Sequence, residues 1–73
     1  MLTVNIHLKT KETIKVEDFI SATERAPMVK EKYTSDNVSE LLVQSHAHYV
    51  FESTTKIFSV DGNDVLYFEF VKD

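Results

Sequence analysis

The run Val65-Leu66-Tyr67-Phe68-Glu69-Phe70-Val71 constrains this chain more than any other segment. Apart from Glu69 it is apolar at odd and even positions alike, so as a strand it offers no face suited to water. Such a strand is expected at the centre of a sheet or covered on both sides. Ahead of it lies a second short β-prone run, Lys56 to Val60, and between the two stands Asp61-Gly62-Asn63-Asp64. Asp-Gly is a strong turn signal, because glycine accepts the positive φ that tight hairpin turns require. The spacing therefore predicts a C-terminal hairpin over residues 56–71. Phe58, Phe68 and Phe70 share parity and are expected in the core. Keeping them on one face requires an odd loop or a bulge at Gly62. Val65, Tyr67, Glu69 and Val71 then form the opposite face, the candidate interface.

Covering that face is a problem of material. With 73 residues the chain is read as a single domain, 1–73, and a domain of this size buries only about 60% of its unfolded surface. Either a helical middle segment packs over the second face, or another copy or a partner does.

Leu2-Thr3-Val4-Asn5-Ile6-His7-Leu8-Lys9 alternates apolar and polar without a fault, the period of a strand with one buried face. Thr13-Ile14-Lys15-Val16 resumes the pattern. A hairpin with its loop at 10–12 sets Ile6 opposite Val16 and Leu8 opposite Ile14, keeping the apolar set together. In residues 17–35, Asp18 is placed to cap a short helix bearing Phe19, Ile20 and Thr23 on one face. Pro27 is expected to stop that helix, or to open a second one. Asn37-Val38-Ser39-Glu40 has the spacing of a capping box, and His48-Tyr49-Val50-Phe51 reads as strand. A strand from about Leu41 to Glu52 would turn Leu41, Val43, Ala47, Tyr49 and Phe51 inward; a short helical turn followed by a strand from about residue 46 reconciles the two readings. The expected fold is α+β: a mostly antiparallel sheet of about five strands with one or two short helices in the middle. The alternative is a small β-barrel of SH3-like or OB-like shape.

Several kinds of chemistry lack their residues. There is no cysteine, hence no disulfide and no thiolate metal site, and a reducing, cytoplasmic setting is expected. No apolar run approaches membrane-spanning length, and no signal-peptide pattern opens the chain. A single glycine excludes a Gly-rich phosphate loop, and no serine sits in a nucleophile motif. Glu17-Asp18 and Asp61 with Asp64 suit a helix start and a turn better than acid–base work. No catalytic residue and no cofactor is assigned, and an enzyme is not expected. His46 and His48 have the i, i+2 spacing that lets two imidazoles on a strand share a metal ion, with His7 the only other histidine.

Charge is uneven. Residues 1–32 carry a net +1 and residues 33–73 a net −5. The acidity makes nucleic acid an improbable partner, although Lys30, Lys32 and Tyr33 form a basic–aromatic cluster in sequence. The leading expectation is a non-catalytic protein-binding or accessory module, self-associating or bound to another protein through a sheet face or edge. The alternative is an acidic inhibitor that mimics nucleic acid on a basic target, as a phage-type accessory protein would. A third is weak metal binding through His46 and His48.

Overall fold

In the computed structural model, which describes residues 2–72, the chain folds as two antiparallel sheets packed face to face. The strands are β1 (Leu2–Leu8), β2 (Thr13–Val16), β3 (Phe19–Ala26), β4 (Val29–Thr34), β5 (His48–Ser53), β6 (Ile57–Asp61) and β7 (Val65–Lys72). One sheet has the order β2-β1-β7 and the other β4-β3-β5-β6. The only helical pieces among the described residues are two single 3-10 turns, Val38–Glu40 and Gly62–Asp64. The expected α+β fold is thus corrected to nearly all β. Nor do the strands close into a barrel, since each sheet is open. The Cα radius of gyration, 11.2 Å, matches the ~11 Å expected of a compact chain this long.

The first hairpin keeps the expected facing but not the expected register. Ile6 lies opposite Ile14 and Val4 opposite Val16. The three-residue loop falls at 9–11, where Leu8 N–H donates to Glu12 O at 2.8 Å and Lys11 N–H to Leu8 O at 2.9 Å. Lys11 takes φ 76°, the left-handed residue that ends a three-residue hairpin loop. The slip is two residues, so no side chain changes face.

No helix forms over residues 17–35. Asp18, expected as a helix cap, instead has φ 54° and turns the chain from β2 in one sheet to β3 in the other. Pro27-Met28 joins β3 to β4, with Ala26 opposite Val29. Proline followed by a residue at φ 68° is the pattern of a type II turn. The helical reading rested on Phe19, Ile20 and Thr23 sharing a face. They do not share one, because a bulge between Phe19 and Ser21 leaves Phe19 buried and Ile20 exposed.

The C-terminal hairpin is the largest correction. β6 and β7 both exist but do not pair. β6 pairs with β5, setting Phe51 opposite Phe58 and Tyr49 opposite Val60, while β7 pairs with β1. The β5–β6 turn is made by Ser53, whose Oγ accepts from Thr55 N–H at 3.3 Å and Lys56 N–H at 3.1 Å. Asp61–Asp64 is a corner between the sheets. Asp61 Oδ1 accepts from Asn63 N–H at 3.0 Å and starts its 3-10 turn.

Gly62 has no positive φ; it is needed for close approach. Its N–H donates to Ala47 O at 2.8 Å, and a Cβ there would lie 2.1 Å from Gln44 O and 2.8 Å from Ala47 O. Both obstacles are backbone, so the loop must move to admit a methyl. Gly62→Ala is expected to destabilise the protein by about 2–3 kcal/mol, measured as a lowered urea midpoint; an unchanged midpoint would contradict this close approach.

The core lies between the sheets. Val4, Ile6 and Val16 from one and Phe19, Ala22, Tyr49, Phe51 and Val60 from the other are buried. Val38, Leu41 and Ala47, from the segment between β4 and β5, close one end.

Candidate functional site

The outward face of the β2-β1-β7 sheet gathers the most organised set of exposed side chains. Strand alternation brings Asn5 and His7 from β1, Thr13 from β2, and Tyr67 and Glu69 from β7 to one side. Register then sets His7 between Thr13 and Tyr67, and Asn5 opposite Glu69. Glu69 Oε1 accepts from Asn5 Nδ2 and from His7 Nε2, each at 3.1 Å. The other imidazole nitrogen, Nδ1, lies 3.2 Å from Thr13 Oγ1. Because a carboxylate only accepts, His7 carries its proton on Nε2, and the Thr13 hydroxyl donates to Nδ1 when the ring is neutral. The Tyr67 ring stacks on His7 with centroids 4.2 Å apart and planes at 14°. The hydrogen bond from His7, with that from Asn5, holds the Glu69 carboxyl below the ordinary value. This threonine–histidine–glutamate row lies on an open sheet face, with no wall to enclose a substrate.

Of the four residues assigned to the candidate interface, the structure brings three to this face: Tyr67, Glu69 and Val71. Val65 is buried at 2% exposure. A bulge accounts for it, since Leu8 pairs with Val65 while His7 pairs with Tyr67, leaving Leu66 as the extra residue. Leu66 turns out to solvent at 59% exposure, and the sequence reading missed it.

β7 is also an edge strand. It was expected to be central or covered, yet it pairs only with β1. The other edges differ from it. β2 has four residues, β4 carries Lys30, Glu31 and Lys32, and β6 has five residues. Short length and charge are the usual protections of an open edge. β7 has eight residues and, short of its last position, a single charge at Glu69.

A second polar cluster is internal. Glu24, on the core side of β3, is buried at 6% exposure. The one proton of the Tyr49 hydroxyl is shared between Leu42 O at 2.7 Å and Glu24 Oε2 at 3.1 Å, and the same oxygen accepts from Gln44 N–H at 2.8 Å. Tyr49 thereby ties residues 42–44 to the four-stranded sheet. Burial pushes its pKa up to about 12, with the nearby Glu24 carboxylate adding to the rise. Tyr33, which donates to Glu31 Oε2 at 3.0 Å, is pushed to about 12 by burial and by Glu31. Nothing in the sequence marked Glu24; only the register of β3 turns it inward.

The remaining candidates do not assemble. His46 lies in the turn before β5, so strand spacing does not align it with His48. His48 Nε2 bonds Ser59 Oγ, and His7 is on the other sheet. Among the described residues no three metal-ligating side chains come together. Tyr33 faces the core side of β4, away from Lys30 and Lys32. Glu52 and Asp61 lie on the outer face of the four-stranded sheet and Glu69 on the opposite side of the molecule. Asp36 precedes the 3-10 turn of residues 38–40, Glu40 is the last residue of that turn, and Asp64 ends the 3-10 turn between β6 and β7. The acids form no stripe resembling a nucleic-acid backbone. A depression of ≈ 240 Å³ is lined by the polar and charged residues Lys15, Glu17, Asp18, Thr55 and Lys56. Among the described residues no helix is long and apolar enough to cross a membrane.

No family model, curated protein or solved structure matches the chain.

The two raised tyrosines predict an alkaline limit. The folded state holds their protons more tightly than the unfolded state, whose tyrosines titrate near 10. The stabilisation is therefore complete below pH 10 and is lost as pH rises toward about 12. Tyr49→Phe is expected to cost about 1–3 kcal/mol at neutral pH, because it leaves buried Glu24, Leu42 O and Gln44 N–H short of a partner. It should also flatten the alkaline decline. Urea midpoints across pH 8 to 11.5 would test both; an identical pH profile in the variant would contradict the assignment.

Proposed function

We propose that this protein is a non-catalytic protein-binding module whose contact surface is β7, its open edge together with the outward residues Leu66, Tyr67 and Val71. The single observation that carries the reading is the unpaired edge of an eight-residue, mostly apolar strand. Backbone N–H and C=O groups along such an edge are a template for another strand, and the main-chain ladder supplies affinity without a pocket. Exposure of Leu66 at 59%, Tyr67 at 48% and Val71 at 38% supports it, since aromatic and aliphatic groups dominate interface centres. The network beneath Tyr67 supports it too. Stacking on His7 and the anchoring of Glu69 hold this face in one conformation before binding, which lowers the ordering cost of association.

The test is an edge-blocked variant. Leu66→Lys with Val71→Lys places two charges beside the open edge while leaving the buried face intact. Tagged wild-type protein in extract of its host is expected to retain at least one protein, untagged copies of the same chain included, that the double variant does not. Equal retention by both, with the variant's fold confirmed by circular dichroism, would overturn the reading.

A further inference from the structure

We propose that the strand completing the β7 edge is β7 of a second copy of this chain, running antiparallel about a twofold axis at Phe68; this rests on the reading of β7 as the contact surface. The argument is one of register. Two copies of one strand paired about a twofold place residues symmetrically around whichever residue sits on the axis. With the axis at Glu69, the two Glu69 carboxylates stand directly opposite, and like charges in that position are destabilising. An axis at Tyr67 sets Tyr67 opposite Tyr67, and an axis at Phe70 sets Glu69 opposite Val71, so neither brings Tyr67 to Glu69. With the axis at Phe68, Tyr67 faces Glu69 of the second copy on the outer side. Past the bulge at Leu66, Val65 faces Phe70, both on the core side. No like charges meet.

This register also uses groups the single chain leaves idle. Among the described residues the Tyr67 hydroxyl makes no hydrogen bond, and Glu69 accepts both of its bonds on Oε1, none on Oε2. Pairing about Phe68 brings that unused donor opposite that unused acceptor, twice by symmetry. A phenol donating to a carboxylate is a charge-assisted bond. The product is one continuous sheet in the order β2-β1-β7-β7-β1-β2, with the long unprotected β7 edge of each chain removed.

Charge at position 67 reads the register directly. Sedimentation velocity over micromolar to submillimolar concentrations is expected to show a wild-type dimer. Tyr67→Lys sets an ammonium opposite Glu69 of the second copy and should retain the dimer, whereas Tyr67→Glu sets a carboxylate there and should weaken it by roughly tenfold or more. Circular dichroism establishes that both variants fold. Because the chain has no cysteine, single-cysteine variants add a covalent check. A mixture of Tyr67→Cys and Glu69→Cys chains should form a disulfide-linked dimer under mild oxidation, and Glu69→Cys alone should not. Cross-linking of Glu69→Cys alone, or equal weakening by the lysine and glutamate variants, would overturn the Phe68 register. A wild-type monomer at every concentration would overturn self-pairing altogether. In that case, loss of a different retained protein in the Leu66→Lys, Val71→Lys variant would leave β7 as the contact surface, and no loss would remove both readings.

Discussion

The structure depends on one aromatic contact between its sheets. Phe68 of β7 meets Tyr49 and Phe51 of β5 edge to face, with ring centroids 5.2 Å and 5.4 Å away. Such pairs contribute about 0.5–1.5 kcal/mol each beyond the area they bury. Their position matters more than their strength. Phe68 is on an edge strand of the three-stranded sheet and Tyr49 and Phe51 are on an inner strand of the four-stranded sheet. The contact thus fixes which part of one sheet lies over the other. Val4 and Ile6, fully buried on neighbouring β1, fill the space beside it.

Facing the sheets in this way requires the chain to cross between them, and the sequence provides two corners. At Asp18 a left-handed residue turns β2 into β3. At Gly62 the chain passes against the carbonyls of Gln44 and Ala47 at a distance no side chain permits. The segment carrying those carbonyls is in turn held by Tyr49, whose ring packs on Phe68 and whose hydroxyl bonds Leu42 and Gln44. One residue therefore serves the apolar contact between sheets and the polar anchoring of the loop that shapes the second corner. Buried Glu24 has that hydroxyl as its hydrogen-bond donor; no buried side-chain polar atom among the described residues lacks a partner.

The outward surface follows from the same arrangement. Phe68 and Phe70 turn toward the core, so Tyr67, Glu69 and Val71 must turn out, and the bulge at Leu66 adds a fourth exposed residue. Placing Tyr67, Glu69 and Val71 on a face opposite Phe68 and Phe70 was possible from parity alone. Leu66 and the burial of Val65 were not legible, because a bulge is created by the partner strand and has no signature in β7 itself. The open edge was not legible either. Two-sided apolar character argued for a central strand, whereas here the apolar outward residues are exposed.

By itself the sequence determined which residues face the same way along β1, β2, β5, β6 and, beyond its bulge, β7. The alternation of Leu2–Leu8, the inward turn of Tyr49 with Phe51, and the shared face of Phe68 and Phe70 all depend on backbone geometry that repeats every two residues, whereas Leu41, Val43 and Ala47, also read as part of an inward strand face, lie ahead of β5. Tertiary structure decided which strands pair. Asp61-Gly62-Asn63-Asp64 looks locally like a hairpin turn, yet it is a corner between sheets, and the hairpin turn lies at Ser53–Lys56. Phe19 and Ile20 looked like one face of a helix, yet they belong to a bulged strand. The physical reason is the same in each case. Facing is a property of neighbouring residues, whereas pairing is settled by competition among distant strands for the same aromatic core, which no short stretch of sequence records.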